Sequence, residues 1–319
     1  VERVIREMNF RPNARARNLG RNSSPIIAFI LSNRSVLHPF HAHILQGVEE
    51  YCQQAGYFVV FARFDYARDT PVSALTLPAV LQSEGIVDCV IAAGTNYDNF
   101  LEAMDRMRLK FVTLGNNLIT DRPHDPVDQV RFDDFGGACE ATRHLIQLGH
   151  TNIWFVGDTL MPWCRTRHTA YLQTMRDAGL EPNAFTAGLA DDHFTDGFNG
   201  MSFLLEHGHP ISAVLAGNDN IAYGAWEAMA KHNLSVPGDV SLIGFDDQCG
   251  PMRYPQLTSV KVRTDEIGSE LAKMAIEKIK RTGTVPQIVV PTKLERRGTC
   301  RPLGFGRGSR SEAKQMVGS

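Results

Sequence analysis

Apolar residues recur along the chain with two spacings, one typical of buried strands and the other of amphipathic helices. Residues 26–31 form an uninterrupted apolar run, and residues 41–55 then place Ile44, Val48 and Cys52 on one helical face. Gly56 ends this helix, and residues 57–62 have strand character again. Repeated alternation of this kind predicts βαβ units, in which helices cover both faces of a parallel sheet.

The same alternation continues through most of the chain. The first series adds helices over 71–82 and 98–107 and strands over 87–93 and 110–114. A second series has helices over 135–148, 165–178, 195–206 and 220–232, with strands over 152–156, 184–189, 213–216 and 241–245. A helix over 264–280 and a strand over 288–290 follow. Two successive α/β lobes account for this order.

The two ends of the chain differ from the lobes. Residues 1–8 have a helical apolar stripe, Pro12 interrupts it, and Asn13 can cap a short helix that ends at Leu19. Residues 1–22 hold six Arg and two Glu, whereas the remainder holds 27 basic and 33 acidic residues. A basic segment on an acidic body predicts that the segment meets a polyanion. Residues 303–319 are rich in Gly, Arg and Ser and are predicted to be disordered.

Composition narrows the class of protein. With 319 residues, 43% hydrophobic and 21% charged, the chain is typical of a globular protein with two domains. Its apolar runs are too short to span a bilayer, and its start predicts no signal peptide, although the absence of an initiator Met suggests a missing upstream segment. Six scattered cysteines without a CxxC pair favour a reducing, cytoplasmic setting.

Polar residues cluster just after predicted strands, where open α/β sheets bind ligands. These residues are Asp133, Asp134, Arg165, Arg167, Asn218, Asp219, Asp246 and Asp247. Together with the aromatic residues Phe40, Tyr66, Trp163 and Phe194, they predict a site for a polyhydroxylated or heterocyclic ligand. The alternative for each Asp or Asn is a helix N-cap without contact to any ligand.

The sequence predicts neither an enzyme active site nor a metal site. His38, His41 and His43 are interrupted by Pro39 and have no matching cluster elsewhere, so we expect no metal and no cofactor. The chain lacks the nucleophile-elbow, zinc-protease, P-loop and strand-linked dinucleotide motifs. A binding protein is therefore predicted rather than an enzyme.

The segment Asn13–Leu19 has two open interpretations. Arg15 and Arg17 can contact phosphates, and Leu19 can insert between base steps in the minor groove of DNA. The alternative is an arginine-rich linker without a defined partner.

Eight segments, in one order along the chain, resemble motifs of the lactose/galactose-repressor (LacI/GalR) family of bacterial transcription regulators. They are NARARNL at 13–19, HPF at 38–40, the segment from Asp133 to His150, RHTAY at 167–171, GNDNIAYG at 217–224, VPGDVSLIGFDD at 236–247, LTSV at 257–260 and LERR at 294–297. The resemblance implies a two-lobed periplasmic-binding-protein-like core with three crossovers. It implies lobes formed by 23–147 with 260–288 and by 148–259 with 289–302, after a headpiece remnant and hinge helix at 1–22.

The resemblance also implies residue roles. The family's ligand-contacting positions fall on Phe40, His41, Asp133, Arg167, Asn218, Asp219 and Asp246, in a cleft between the lobes. Its hinge positions fall on Asn13, Arg15, Ala16, Arg17 and Leu19, of which Leu19 would open the minor groove. His41 implies a more polar ligand wall than usual, and Asp192 stands where relatives often place a stacking aromatic.

The implied function is a ligand-switched DNA-binding regulator, usually a repressor. The resemblance implies a homodimer that senses a small molecule, by family default a sugar, and that needs the missing headpiece to bind operator DNA. The alternative is a solute-binding protein of the same fold that delivers a sugar to a transporter. The absent export signal and the basic hinge segment count against this alternative.

Overall fold

The structure, a computed structural model, describes residues 25–34, 39–120, 128–186, 192–248, 256–281 and 283–304. Within these residues the chain forms two compact units and passes between them after Val130, Arg263 and Ile288. The expectation of two α/β lobes is confirmed.

The first unit is built on a six-stranded sheet. Its strands and helices are β1 (Ile26–Ser32), α1 (Pro39–Gln54), β2 (Phe58–Phe64), α2 (Ala79–Gln82), β3 (Cys89–Gly94), α3 (Asp98–Arg106), β5 (Phe111–Leu114), β7 (Gln129–Phe132), α8 (Thr264–Lys280) and β13 (Ile288–Val290). The strand order is β13-β7-β5-β3-β1-β2, and a small pair, β4 (Asn96–Tyr97) with β6 (Leu118–Ile119), lies beside it. The strands β1, β2, β3, β5 and β7 pair in parallel.

The second unit repeats this arrangement. Its elements are α4 (Asp134–Gln147), β8 (Ile153–Val156), α5 (Pro162–Asp177), β9 (Asn183–Phe185), α6 (His193–Glu206), β10 (Ala213–Ala216), α7 (Asp219–Lys231), β11 (Ser241–Asp246), β12 (Thr258–Lys261) and β14 (Lys293–Glu295). The strand order is β14-β12-β11-β10-β8-β9, with only β14 antiparallel to its neighbour.

Burial explains why the central strands are continuous apolar runs. In β1 every residue from Ile27 to Ser32 is fully buried, as a strand between two helical layers requires. In the first unit α1 packs against α8, and a side-chain carbon at Gly47 would lie 2.4 Å from the carbonyl oxygen of Asp265. Glycine at this position therefore sets how closely the two helices approach.

Two predicted elements differ most from the observed ones. Residues 71–82 form a 3₁₀ turn at Val72–Ala74 and the short helix α2, because Pro78 lacks an amide donor and disfavours helix at the residue before it. The strand predicted over 184–189 is observed at Asn183–Phe185, and residues 187–191 lie outside the described part.

The first crossover comes after Val130, earlier than the predicted 147/148 boundary. The reason is that α4 packs on α5 and that the Leu294 amide donates to Glu140 of α4, at 3.0 Å. Residues 303–319 are predicted to be disordered, but Leu303 is ordered against the second unit, because its amide donates to the carbonyl oxygen of Leu148. Residues 305–319, and the hinge positions from Asn13 to Leu19, lie outside the described residues.

No helix within the described ranges combines the length and the apolar character that crossing a bilayer requires.

Candidate functional site

The polar residues predicted to meet at strand ends do meet in the second unit. Asp134 begins α4, which follows β7, and Arg167 lies in α5, which follows β8. Asn218 comes directly after β10, and Asp246 is the last residue of β11. The site therefore forms at the carboxyl edge of the parallel strands, as the sequence predicts.

Arg167 is the centre of this cluster, with a side chain only 3% exposed. Its Nε donates to Asp134 Oδ1 at 2.7 Å, and its Nη2 donates to Asp246 Oδ1 at 3.0 Å. Its Nη1 donates to the carbonyl oxygen of Gly217 at 2.7 Å. These contacts hold the guanidinium in one orientation through charge-assisted hydrogen bonds.

Aromatic rings border the same guanidinium. Its central carbon lies 3.5 Å from the ring centre of Phe245 and 4.6 Å from that of Trp163. Stacking on rings suits a planar, weakly hydrated guanidinium. Arg167 is therefore buried between an apolar wall and two carboxylates.

The charges of this cluster are strongly coupled. Burial would by itself lower the pKa of Arg167, but the adjacent Asp134 and Asp246 raise it, and the net direction is upward. The Arg167 charge is thus permanent at any physiological pH. Because the Asp134 side chain is only 3% exposed, loss of the arginine would leave a buried carboxylate without its cation.

Asp133 and Asp134 have different roles, and the sequence did not distinguish them. Asp133 Oδ1 accepts the amide of Gly136 at 2.8 Å, so Asp133 is the N-cap of α4. The neighbouring Asp134 pairs with Arg167 instead. Contact between Asp133 and a ligand stays a prediction, and Asp134 is the residue that the sequence reasoning omitted from the ligand site.

Asn218 is also an N-cap. Its Oδ1 accepts the amide of Ile221 at 2.9 Å, while its Nδ2 lies 2.7 Å from Nδ1 of His193. The His193 ring centre lies 5.5 Å from that of Trp163, so α6 adds an imidazole beside the Arg167 cluster. His193 was missed, although it directly follows Asp192, which caps α6 by accepting the amide of Thr195.

Asp219 is 2% exposed, and both of its carboxylate oxygens accept hydrogen bonds. Oδ1 accepts the hydroxyl of Ser259 at 2.6 Å, and Oδ2 accepts the amide of Gln248 at 2.6 Å. Burial, followed by the charge of Asp246, raises the pKa of Asp219 well above its usual range. Asp219 therefore makes internal contacts in this structure, where the sequence suggested a ligand contact or a cap.

The first unit carries the two other predicted ligand residues. Phe40 and His41 lie in the first turn of α1, are buried, and have ring centres 5.4 Å apart. The carboxyl edge of this unit's sheet also carries amides that the sequence reasoning missed, among them Asn33, whose Nδ2 donates to the carbonyl oxygen of Thr95. Their only sequence signal is their position directly after predicted strands.

Among the described residues, no three His, Cys, Asp or Glu side chains converge as metal ligands would. His38, one of the three histidines considered for such a site, lies outside the described residues.

Comparison with known proteins extends these observations. Residues 142–300 match a family described as a periplasmic binding protein-like domain. The chain is 29% identical to the ribose operon repressor of Escherichia coli (strain K12) over 97% of this chain and 89% of that protein. It is 28% identical to the HTH-type transcriptional regulator DegA of Bacillus subtilis (strain 168), over 95% of this chain and 89% of DegA.

Solved structures show the same fold. The complex of the transcriptional regulator CelR with cellobiose superposes with a TM-score of 0.74 at 24% identity, covering 93% of this chain and 89% of that one. The lac repressor dimer bound to operator and the anti-inducer ONPF gives a TM-score of 0.75 at 21% identity, covering 92% and 99%. In sequence along nearly its whole length, and in fold, this chain is therefore similar to transcription regulators of the lactose/galactose-repressor (LacI/GalR) kind.

Proposed function

We propose that this protein is a transcriptional regulator, acting as a repressor, whose binding to operator DNA is controlled by a small-molecule effector. The relatives aligned over most of the chain are named as an operon repressor and a transcriptional regulator. The alternative of a solute-binding protein for sugar uptake is not favoured, because both of these relatives act on genes.

The observation that carries this proposal is the Arg167 cluster at the carboxyl edge of the second unit's sheet. Buried donors and acceptors next to aromatic rings are what recognition of a polyhydroxylated ring requires. We place the effector against Arg167, Asp246 and Asn218, with Trp163 and His193 beside them. Contacts from Phe40, His41 and Asp133 remain predictions, whereas both carboxylate oxygens of Asp219 already accept internal hydrogen bonds.

A carbohydrate is the proposed effector. One relative is named for the ribose operon, and CelR was solved with cellobiose. The charge of the cluster supports an uncharged sugar over a phosphorylated one, because Asp134 and Asp246 already neutralise Arg167. A carboxylate oxygen that accepts one hydrogen bond has a further lone pair, so sugar hydroxyl groups can donate to the carboxylates of this cluster.

The experiment is titration calorimetry of the chain with ribose, cellobiose and ribose 5-phosphate. We expect a neutral sugar to bind, and Asp246→Asn to weaken its binding at least about tenfold, since a charge-assisted acceptor is lost. Arg165→Gln is the control, because Arg165 lies on the same helix as Arg167, is exposed and, within the described residues, donates to the carbonyl oxygens of Thr159 and Leu160. Equal affinity in Asp246→Asn and the parent chain would refute the proposed site.

We propose that the regulator works as a homodimer. In the first unit β2 is an edge strand, and its Phe58 and Phe61 side chains are 68% and 40% exposed. Apolar side chains on an exposed edge strand are suited to burial against a second copy. The wild-type chain should sediment as a dimer and Phe58→Lys as a monomer, while Arg63→Lys, on the same strand, should leave the dimer intact.

The hinge positions Asn13, Arg15, Ala16, Arg17 and Leu19 are proposed to contact DNA in a chain that carries a complete headpiece. Such a chain should bind operator DNA, and Leu19→Ala should weaken that binding without changing effector affinity. Because DNA is the partner, the proposed site of action is the cytoplasm. A Leu19→Ala chain with unchanged operator affinity would contradict this role.

A further inference from the structure

Asp246, which we propose to contact the effector, has an unusual backbone conformation. Its φ is +99°, and the next residue, Asp247, has a φ of +55°. A left-handed backbone conformation is strained for a residue other than glycine, and here two such residues are consecutive. The chain must therefore contain contacts that hold this turn in place.

Three hydrogen bonds that hold this turn involve Asp219, at the start of α7, or Ser259, on β12. Asp219 Oδ2 accepts the amide of Gln248, and Asp219 Oδ1 accepts the hydroxyl of Ser259. The Ser259 oxygen in turn accepts the amide of Asp247, at 3.1 Å. Both backbone amides that follow Asp246 are thus bound, one directly and one through Ser259, to a single carboxylate.

The Asp219 carboxylate occupies space that a glycine on β11 leaves open next to Ser259. Gly244 of β11 pairs with Ser259 of β12, and a side-chain carbon at Gly244 would lie 2.2 Å from Asp219 Oδ1. Only glycine permits the carboxylate to reach across β11 to Ser259. Arg297 also holds the turn, because its Nη1 donates to Asp247 Oδ1 at 2.5 Å and to the carbonyl oxygen of Leu257 at 2.7 Å.

From these contacts we propose that Asp219 is a positioning residue for effector recognition. It does not contact the effector, because both of its oxygens accept internal hydrogen bonds and its side chain is buried. It holds the left-handed turn at Asp246-Asp247, and the turn directs the Asp246 carboxylate to Nη2 of Arg167. This inference rests on the proposed function through Asp246.

The main test does not require a known effector. Asp219→Asn keeps the shape of the side chain but places an amide donor against either the Ser259 hydroxyl or the Gln248 amide. In this variant we expect the Gln248 amide to exchange its hydrogen at least about tenfold faster. We also expect the Arg167 Nε–H resonance in a ¹⁵N spectrum to shift. Ser259→Ala should accelerate exchange at Asp247 as well.

The chain offers a matched control at the opposite end of β11. Asp239 Oδ2 accepts both the amide and the hydroxyl of Ser235, at 2.8 and 2.6 Å. Asp239→Asn therefore removes the same kinds of hydrogen bond, and it should leave the Arg167 resonance unchanged. Equal spectra for Asp219→Asn and the parent chain, or an equal shift in Asp239→Asn, would overturn the proposal.

Binding of ribose and cellobiose separates this proposal from the proposed function. We expect a sugar that binds the parent chain to bind Asp219→Asn about tenfold more weakly, and Asp239→Asn with unchanged affinity. If Asp246→Asn loses affinity and Asp219→Asn does not, Asp219 has no positioning role while the effector site stands. If Asp246→Asn keeps its affinity, the effector site is wrong, and the spectra alone then decide whether Asp219 holds the turn.

Discussion

The two units have similar sheets but different chemistry at the carboxyl edges of those sheets. In the first unit, neutral groups hold the edge: Asn33 Oδ1 accepts the amide of Tyr66, and the Tyr66 hydroxyl accepts the amide of Tyr97. In the second unit the edge is held by the ion pairs of Arg167 with Asp134 and Asp246. Similar topology therefore supports two kinds of hydrogen-bonding surface.

This difference has consequences for stability. Neutral hydrogen bonds contribute about 0.5–1.5 kcal/mol each and change little with pH. A buried arginine between two carboxylates contributes little as an intact group, but removal of one partner is costly because the other charges stay buried. The second unit should therefore be more sensitive to a single substitution at its edge and to acid.

The largest expected effect comes from Arg167→Met. The substitution leaves Asp134 buried without its cation, and we expect the second unit to lose about 3–5 kcal/mol of unfolding free energy. Urea denaturation followed by tryptophan fluorescence measures this loss, since the tryptophans Trp154, Trp163 and Trp226 are all in this unit. Arg165→Met, at an exposed position on the same helix, should cost less than about 1 kcal/mol. An equal loss of unfolding free energy in Arg167→Met and Arg165→Met would contradict the claim that the second unit's edge depends on its buried ion pairs.

A smaller effect is expected at the edge of the first unit from Asn99→Ala. Asn99 is buried, and its Nδ2 donates to the carbonyl oxygens of Ala67 and Thr70, at 3.0 and 2.8 Å. Loss of this donor removes one hydrogen bond from each carbonyl oxygen, of which that of Ala67 keeps the amide of Thr70 as a donor, and the cost is about 1–3 kcal/mol. Amide hydrogen exchange in the first unit measures this loss of stability, and we expect the same loss at pH 6 and at pH 8. A cost that changes between these pH values would contradict the neutral character of this edge.

The smallest expected effect is acid sensitivity caused by His150, at the start of the second unit's sheet. Its Nε2 lies 3.0 Å from the carbonyl oxygen of Arg301, which requires a donor, so the proton is assigned to Nε2. The buried Nδ1 has no hydrogen-bond partner among the residues that the structure describes. Burial lowers the pKa of His150 from 6.5, and the nearby Arg301 charge acts in the same direction. The unfolded chain then binds more protons than the native chain below about pH 6.5, so stability falls as the pH falls.

His150→Gln should make this dependence shallower, because a glutamine amide can donate to the same carbonyl group and does not titrate. Urea midpoints between pH 5 and 7.5 measure the slope. His43→Gln, which removes an exposed imidazole from α1 of the first unit, is the control. An unchanged slope in His150→Gln would assign the acid sensitivity to other groups, of which His144 and His168 also have a pKa lowered by burial.

Much of the fold could be predicted from the sequence. Apolar runs of strand length separated by amphipathic helices specify parallel α/β units, because only strands covered on both faces are apolar throughout. Polar residues at the ends of strands, and in a helix that follows a strand, specify the edge at which Arg167, Asn218 and Asp246 meet. The helix predicted over residues 71–82 is observed as a 3₁₀ turn and a short helix, because Pro78 lacks an amide donor and disfavours helix at the residue before it.

The role of each individual carboxylate was decided by tertiary structure. Asp133 and Asp134 are adjacent and chemically identical, yet one caps a helix and the other pairs with Arg167, because successive side chains at a helix start point in different directions. Asp219 and Asp246 both follow strands, yet only the register of β11 and β12 brings Ser259 to Asp219. The sequence by itself determined which residues gather at the edge. Tertiary structure decided which of these side chains form hydrogen bonds with other residues of the protein, because such bonds depend on distances between elements that are far apart in the chain.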